Sequence, residues 1–476
     1  MNISLLYLMS RTIFFTFNYI IYGTELVKKY DLSQNIFANQ YIENQSNIEK
    51  NILNLFSLYV AYDGSYFGII SSLGYVNEHM FAFYPLYPYL SRIFSYPFKF
   101  CNFKNQFTPY LIGGFICSNF LCLLNCFLLH QLIFLLTNSK FKSNISVFLF
   151  LFNPGSIFYM ALYSENLYFT LELLLILILL KDTQNWFDYI LLCIITFLIT
   201  LTRSNGIIVL SFIIIPIFLQ LFKQQINIYN DSFLNNLINL SSFIKNNFLF
   251  ILKYIILVII GFISFNWNLN IRAKLKICNY ISQKINSHRD QFYHLNLLCN
   301  NQKNKFNNIY NYIQKYYWGV TFFNQYRKEY IHKHFYGLVS NIYGFYIVFK
   351  SFSLFNYKEL FKLNLINFLV SKKDDKENKN NKATQKINDD EIKRNAFILG
   401  GIINFFILFV TVLIIAYISI SNRLYCGHPL LYFWLVEDVY EYLQTGKNKN
   451  GFLILLFFIT FSFVSCLFQI GSFDFM

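Results

Sequence analysis

The chain has 476 residues, 55% of them hydrophobic and only 13% charged, with a mean hydropathy of +0.40; soluble domains carry about 25% charged residues, so the composition argues against a water-soluble protein. The net charge of +15 comes from Lys and Arg scattered between apolar runs, which speaks for membrane-flanking loops and against a nucleic-acid face. Nine cysteines form no CxxC pair and no Cys/His spacing of a zinc site, and no residue is assigned as a metal ligand. The surplus of Phe, Tyr, Ile, Asn and Lys has a bland origin in A/T-rich coding sequence and carries no functional weight.

Apolar runs near the roughly 20 residues that cross a bilayer predict an all-α, polytopic transmembrane protein, one domain over 1–476 with about eleven spans. In chain order these are Leu5–Tyr22, Tyr110–Leu136, Ile145–Tyr159, Leu167–Leu180, Phe187–Leu201, Ile207–Phe222, Phe248–Trp267, Tyr336–Phe355, Ala396–Ser419, Pro429–Leu443 and Phe452–Ile470. The third, fourth, fifth and tenth are short enough to be re-entrant or partly interfacial. The first lacks a basic start and contains Arg11, so it reads as a retained helix rather than a cleaved signal peptide. Arg11 is also almost the only charge near the middle of a span.

With a cytosolic N-terminus, alternation puts 138–144, 181–186, 223–247, 356–395 and 446–451 in the cytosol, and most of these are rich in Lys. Lys28, Lys29 and the basic segment 268–335 run against the charge rule, which binds long loops weakly. The lumen then receives a first loop, 23–109, and a second, 268–335. The stretch 372–394, KKDDKENKNNKATQKINDDEIKR, is charged and nearly free of apolar residues; it reads as a disordered cytosolic insertion. Cys117, Cys122 and Cys126 fall inside a span as packing residues. Cys101, Cys278, Cys299 and Cys426 fall in luminal loops, where a disulfide is permitted.

Ionisable groups near a bilayer are expensive and tend to mark a site. Alternation alone brings Asp63, Glu78, His79, Glu165, Arg203, Gln314, Trp318 and Arg423 to one side. The segment YDGSYFGIISSLGYVNEHMFAFYPLYPYL, Tyr62 to Leu90, resembles the first luminal loop of the PIG-V family of glycosylphosphatidylinositol (GPI) mannosyltransferases, with Tyr62 where that family usually has Trp. Four further blocks follow in the family's order. They are FNPGSIFYMALYSENLYF (Phe152–Phe169), with Gly155 for the usual Ala; Arg203-Ser204-Asn205-Gly206; YNYIQKYYWGVTFFNQY (Tyr310–Tyr326), without the usual Pro; and Arg423 with Pro429 and Tyr432–Trp434. Between the blocks, including much of 226–308, no useful similarity is visible.

The resemblance implies a GT-C-like transferase of the endoplasmic reticulum membrane, with its site facing the lumen. Its implied donor is dolichyl-phosphate-mannose and its acceptor a mono-mannosylated GPI precursor glycolipid. Membrane lipid surrounds it, a small accessory membrane subunit accompanies fungal relatives, and no cofactor is implied, the lipid-linked donor being a substrate. Making an α-mannoside from a β-linked donor inverts the sugar carbon and needs a base, a role the resemblance assigns to Asp63; helix N-capping is the plainer use of that carboxylate. Arg203 and Arg423 suit phosphate, or else anchor span ends among headgroups, and Glu165 suits pairing with either. Glu78 and His79 suit acceptor and phosphate contacts or a loop-stabilising pair. Gln314 and Trp318 suit sugar contacts, Trp equally an interfacial belt. Other dolichyl-phosphate-mannose-dependent transferases, a transporter and a non-catalytic scaffold are the competing classes.

Overall fold

The computed structural model describes residues 2–23, 46–75, 78–181, 184–223, 233–268, 309–323, 326, 334–355, 389–415 and 421–470. Among these residues the regular structure is helical and no strand occurs. Hydrocarbon offers backbone groups no water, and a helix satisfies its own N–H and C=O groups, so these apolar runs have little alternative. Every expected span has a helical counterpart. The N-terminal one is α1 (Ile3–Gly23).

The first loop is itself largely helical. It contains α2 (Asn47–Val60), α3 (Asp63–Leu73), a 3-10 turn at Glu78–Ala82 and α4 (Leu86–Ser95). Ser46 and Glu49 cap α2 reciprocally, and Glu49 also accepts from the Asn105 N–H at 2.7 Å, tying the start of the loop to its end. The central pillar is α5 (Thr108–Thr137), which opens on Pro109 and stops at left-handed Asn138. Helices α1, α2 and α4 pack on it, as do α6 (Lys140–Leu151) and α7 (Glu165–Leu179).

The third expected span is divided. Helix α6 is 12 residues long, about 18 Å, and the chain then breaks at Asn153-Pro154 into a 3-10 turn over Ser156–Tyr159. Asn153 makes the break self-sufficient: its Oδ1 accepts from the Gly155 N–H at 2.7 Å and its Nδ2 donates to the Phe150 carbonyl. Helix α8 (Trp186–Thr200) starts on an Asn185/Asp188 capping box. The sixth span begins as a 3-10 helix, Ser204–Ile213, before becoming α9 (Ile214–Lys223).

Helices α10 (Phe233–Asn246) and α11 (Phe248–Asn266) follow, then α12 (Ile309–Trp318) and α13 (His334–Ser353). Helix α14 (Asp389–Ile414) packs on the Ser204–Ile213 turn and α9. Its first turns take up the end of the charged segment expected to be without order, and Lys393 there is buried. Residues 372–388 lie outside the described residues. The chain closes with α15 (Ser421–Tyr425), α16 (Pro429–Thr445) and α17 (Lys449–Ile470). Among the described residues, five helices are long and apolar enough to cross a membrane, at Ile3–Ile21, Thr108–Thr137, Phe248–Asn266, Ile392–Ile414 and Lys449–Leu467, with shorter apolar helices at Trp186–Thr200 and Ser204–Ile217.

Arg11 is buried, donates to the Cys122 sulfur at 2.9 Å and lies over the Tyr7 ring. It is not alone within the spans, because Glu172 on α7 is fully buried and neither of its carboxylate oxygens has a hydrogen-bond partner. Cys117, Cys122 and Cys126 are buried packing residues as expected; Cys101 and Cys426 are unbridged, and Cys278 and Cys299 lie outside the described residues.

Candidate active site

Four elements far apart in sequence deliver four charged side chains to one place. Asp63 opens α3, Glu165 opens α7, Arg203 closes the turn between α8 and the following 3-10 helix, and Arg423 lies on α15. Arg423 NH1 donates to Asp63 Oδ2 at 2.5 Å, across 360 residues of chain. Its Nε donates to Glu165 Oε1. Arg203 NH1 meets the same Oε1 at 2.5 Å. The result is an unbroken row, Asp63–Arg423–Glu165–Arg203, alternating in sign and neutral in sum.

Helix N-capping does not account for Asp63. It stands inside the helix, Tyr62 is the cap residue, and the Asp63 carboxylate reaches out to Arg423. Tyr62 has φ +54°, a left-handed conformation uncommon for a bulky side chain and a local cost of about 1 kcal/mol or more. Surrounding contacts hold it there. Tyr163 donates to the Ala61 carbonyl at 3.1 Å, and the Leu162 N–H donates to the Tyr59 carbonyl at 2.9 Å. The strained turn is thus stitched to the segment that leads into Glu165.

Backbone approaches closely at two glycines of the matched blocks, and at Gly206 it requires one. A Cβ on Gly155 would stand 3.1 Å from the Asn422 carbonyl and 3.6 Å from the Arg423 Cα, so the Asn153–Gly155 break forms the seat of α15. A Cβ on Gly206 would stand 2.4 Å from the Ile199 carbonyl, a distance that real structures do not tolerate, so the turn carrying Arg203 folds tightly on the end of α8.

The arginines are not headgroup anchors. The side chains of Arg203 and Arg423 are each 15% exposed, Glu165 is 3% and Asp63 33%, so Asp63 is the open end of the row. Arg423 also lies over the Tyr163 ring at 4.8 Å and the Phe158 ring at 5.4 Å. Burial works against its charge, but Glu165 and Asp63 outweigh that cost and hold its pKa above the ordinary guanidinium value. Glu165 spends Oε1 on both arginines, while its Oε2 is buried without a hydrogen bond.

Beside the row stands an aromatic layer. Tyr66, one turn beyond Asp63 on α3, stacks on Phe83 at 4.8 Å and meets the His79 ring edge-on at 5.3 Å. Tyr317 covers His79 at 5.4 Å and Trp318 abuts Phe83 at 5.8 Å. Helix α12 is joined to the row where Tyr310 donates to Ser204 Oγ at 3.0 Å, next to Arg203. Burial pushes His79 below the usual imidazole range, leaving it neutral near pH 7. Gln314 is half-buried one turn beyond Tyr310 on α12. Glu78 starts the 3-10 turn, and its side chain lies outside the described residues.

Of the expected residues, Asp63, Glu165, Arg203 and Arg423 converge directly, and His79 and Trp318 belong to the adjoining layer. Tyr62, Phe158, Tyr163, Ser204 and Tyr310 are further members that sequence reasoning missed. All five lie inside matched blocks, but a chain with 37 Tyr and 58 Phe gives no compositional signal for any one of them. Among the described residues, no group of three or more His, Cys, Asp or Glu is placed to hold a metal ion. The row presents two cations and a carboxylate at its open end, a donor set suited to binding phosphate and accepting a proton.

The chain is 33% identical over 171 residues to GPI mannosyltransferase 2 of Drosophila melanogaster, covering 36% of this chain and 38% of the fly protein. It is 30% identical over 125 residues to GPI mannosyltransferase pigv-1 of Caenorhabditis elegans, covering 24% of this chain and 18% of the worm protein. The matches therefore span well under half the length of these curated relatives. No solved structure matches the chain. The family model described as "Mannosyltransferase (PIG-V)" matches residues 3–475, and with four of the five motif blocks each bringing one charged residue into the row, the chain belongs to the PIG-V mannosyltransferase family.

Proposed function

We propose that this protein transfers mannose from dolichyl-phosphate-mannose to the mono-mannosylated glucosaminyl-phosphatidylinositol precursor, adding the second, α-1,6-linked mannose of the GPI anchor. It acts in the endoplasmic reticulum membrane with its site toward the lumen. The observation that carries this reading is the Asp63–Arg423–Glu165–Arg203 row in a chain of the PIG-V family.

The acceptor hydroxyl oxygen attacks the anomeric carbon from the face opposite the phosphate as the carbon–oxygen bond to phosphate breaks. Asp63 takes the hydroxyl proton, a contribution worth about 100- to 10,000-fold in rate. The bonding pair leaves with dolichyl phosphate, and Arg423 and Arg203 offset the negative charge that develops on it. Both arginines are already neutralised by carboxylates, so an arriving phosphate competes with Asp63 for Arg423. Donor binding thereby frees the base for the acceptor. Neutral His79 donates an N–H without adding charge, and Trp318 and Gln314 offer a ring face and an amide to the sugars.

The test is transfer of labelled mannose from dolichyl-phosphate-mannose by membranes containing the full chain, with mono-mannosyl precursor as acceptor and the product linkage determined. An α-1,6-linked dimannosyl product supports the reading. Transfer only to another GPI intermediate, an N-glycan precursor or a protein would replace the acceptor while keeping the donor. No transfer to any of them would overturn the reading.

A further inference from the structure

Directly below Glu165, the start of α7 is gripped by an amide ladder that the chemistry above does not use. Asn166 is fully buried, and its Nδ2 spends both hydrogens, donating to the Ser118 carbonyl on α5 and to the Tyr159 carbonyl of the 3-10 turn, each at 2.8 Å. Its Oδ1 accepts from Asn125 Nδ2 at 3.2 Å, and the same Nδ2 lies 3.0 Å from the Asn166 carbonyl. Thr170 completes the ladder by donating to Asn125 Oδ1 at 2.7 Å. At its Asn166 end, the Tyr87 and Ser118 hydroxyls share a hydrogen bond of 2.6 Å.

We infer that Asn166 is a positioning residue for mannosyl transfer, oriented by Asn125 and acting through its neighbour Glu165; the inference rests on the function proposed above. Asn166 fixes two things at once. It locks the first turn of α7, from which the Glu165 carboxylate reaches both arginines, and it holds the Tyr159 end of the turn whose Phe158 and Tyr163 rings floor Arg423. An unmade bond at this depth has no water to replace it. The carboxylate that sets the spacing of Arg203 and Arg423 would then move, and a misplacement of about 1 Å costs on the order of 100-fold in rate.

The test compares the full-length wild type with Asn166→Leu, Asn125→Ala and a structural control, Ser351→Ala. The control removes a buried partner of Trp434 Nε1, ten residues along α13 from Asn341, which bonds Tyr425 beside the site. Rates of mannose transfer are expressed per folded enzyme, the folded fraction coming from thermal melting. The expected result is a kcat lowered about 30- to 100-fold in Asn166→Leu and about tenfold in Asn125→Ala, with both KM values within about threefold of wild type. Ser351→Ala should keep kcat within about threefold. Should Asn166→Leu fail to fold, Asn125→Ala decides, since it leaves both Asn166 donations intact. Turnover within about twofold of wild type in the amide variants, or an equal loss in Ser351→Ala, would overturn the inference. A wild-type chain that transfers no mannose would instead count against the proposed function.

Discussion

Arg423 is shared by two carboxylates, and its removal should be felt in both stability and rate. In Arg423→Gln the buried Glu165 keeps only Arg203 and the Phe158–Tyr163 floor loses its cation, so unfolding should become easier by about 3 kcal/mol, read by thermal melting in detergent. Arg423→Lys restores the charge but cannot span Asp63 and Glu165 with a planar fork, and its transfer rate should remain about 100-fold down. At Asp63 the expectation is the reverse pairing: Asp63→Asn should lower the rate by at least about 100-fold while leaving the melting temperature close to wild type, because the side chain is the exposed end of the row. His79 makes a pH prediction. Burial keeps it neutral above about pH 6.5, so any acidic limb of the rate profile between about pH 6 and 7 should persist unchanged in His79→Gln. Each of these residues was legible in the sequence as an ionisable group that alternation brings to one side. Their pairings were not, since Asp63 and Arg423 are 360 positions apart and nothing local couples them.

At the scale of elements, the site depends on irregular segments wedged between regular ones. The break at Asn153-Pro154 splits a predicted span so that Gly155 can seat α15, and Gly206 lets the Arg203 turn close on α8. Gly206→Ala should therefore push the turn away from the Ile199 carbonyl and displace Arg203, lowering the transfer rate about tenfold or more. The helices themselves followed from apolar runs and from caps such as Asn185 with Asp188. Proline at 154 was visible in the sequence, but apolar flanks on both sides hide the break. The first loop shows the complementary failure. It reads as polar and aromatic, yet α2, α3 and α4 fold there because Tyr59, Phe67 and Tyr87 find burial against the membrane helices.

Across the whole molecule, the alternation expected of the apolar runs brings the residues of the charged row to one side, and the family's five blocks fall at or beside that row. Other ion pairs form away from it, Lys142 with Glu437 and Lys350 with Asp438. Orientation is open to direct test: a cysteine at Lys447 should react with an impermeant maleimide from the cytosolic face, and one at Tyr317 from the lumen. What composition could not supply is the identity of the acceptor. The most direct measurement is therefore made in cells that lack GPI mannosyltransferase 2 and accumulate the one-mannose intermediate. The account predicts that wild type clears that lipid and Asp63→Asn does not; equal clearance by both would contradict Asp63 as the base, and persistence of the intermediate with a well-expressed wild type would contradict the proposed acceptor.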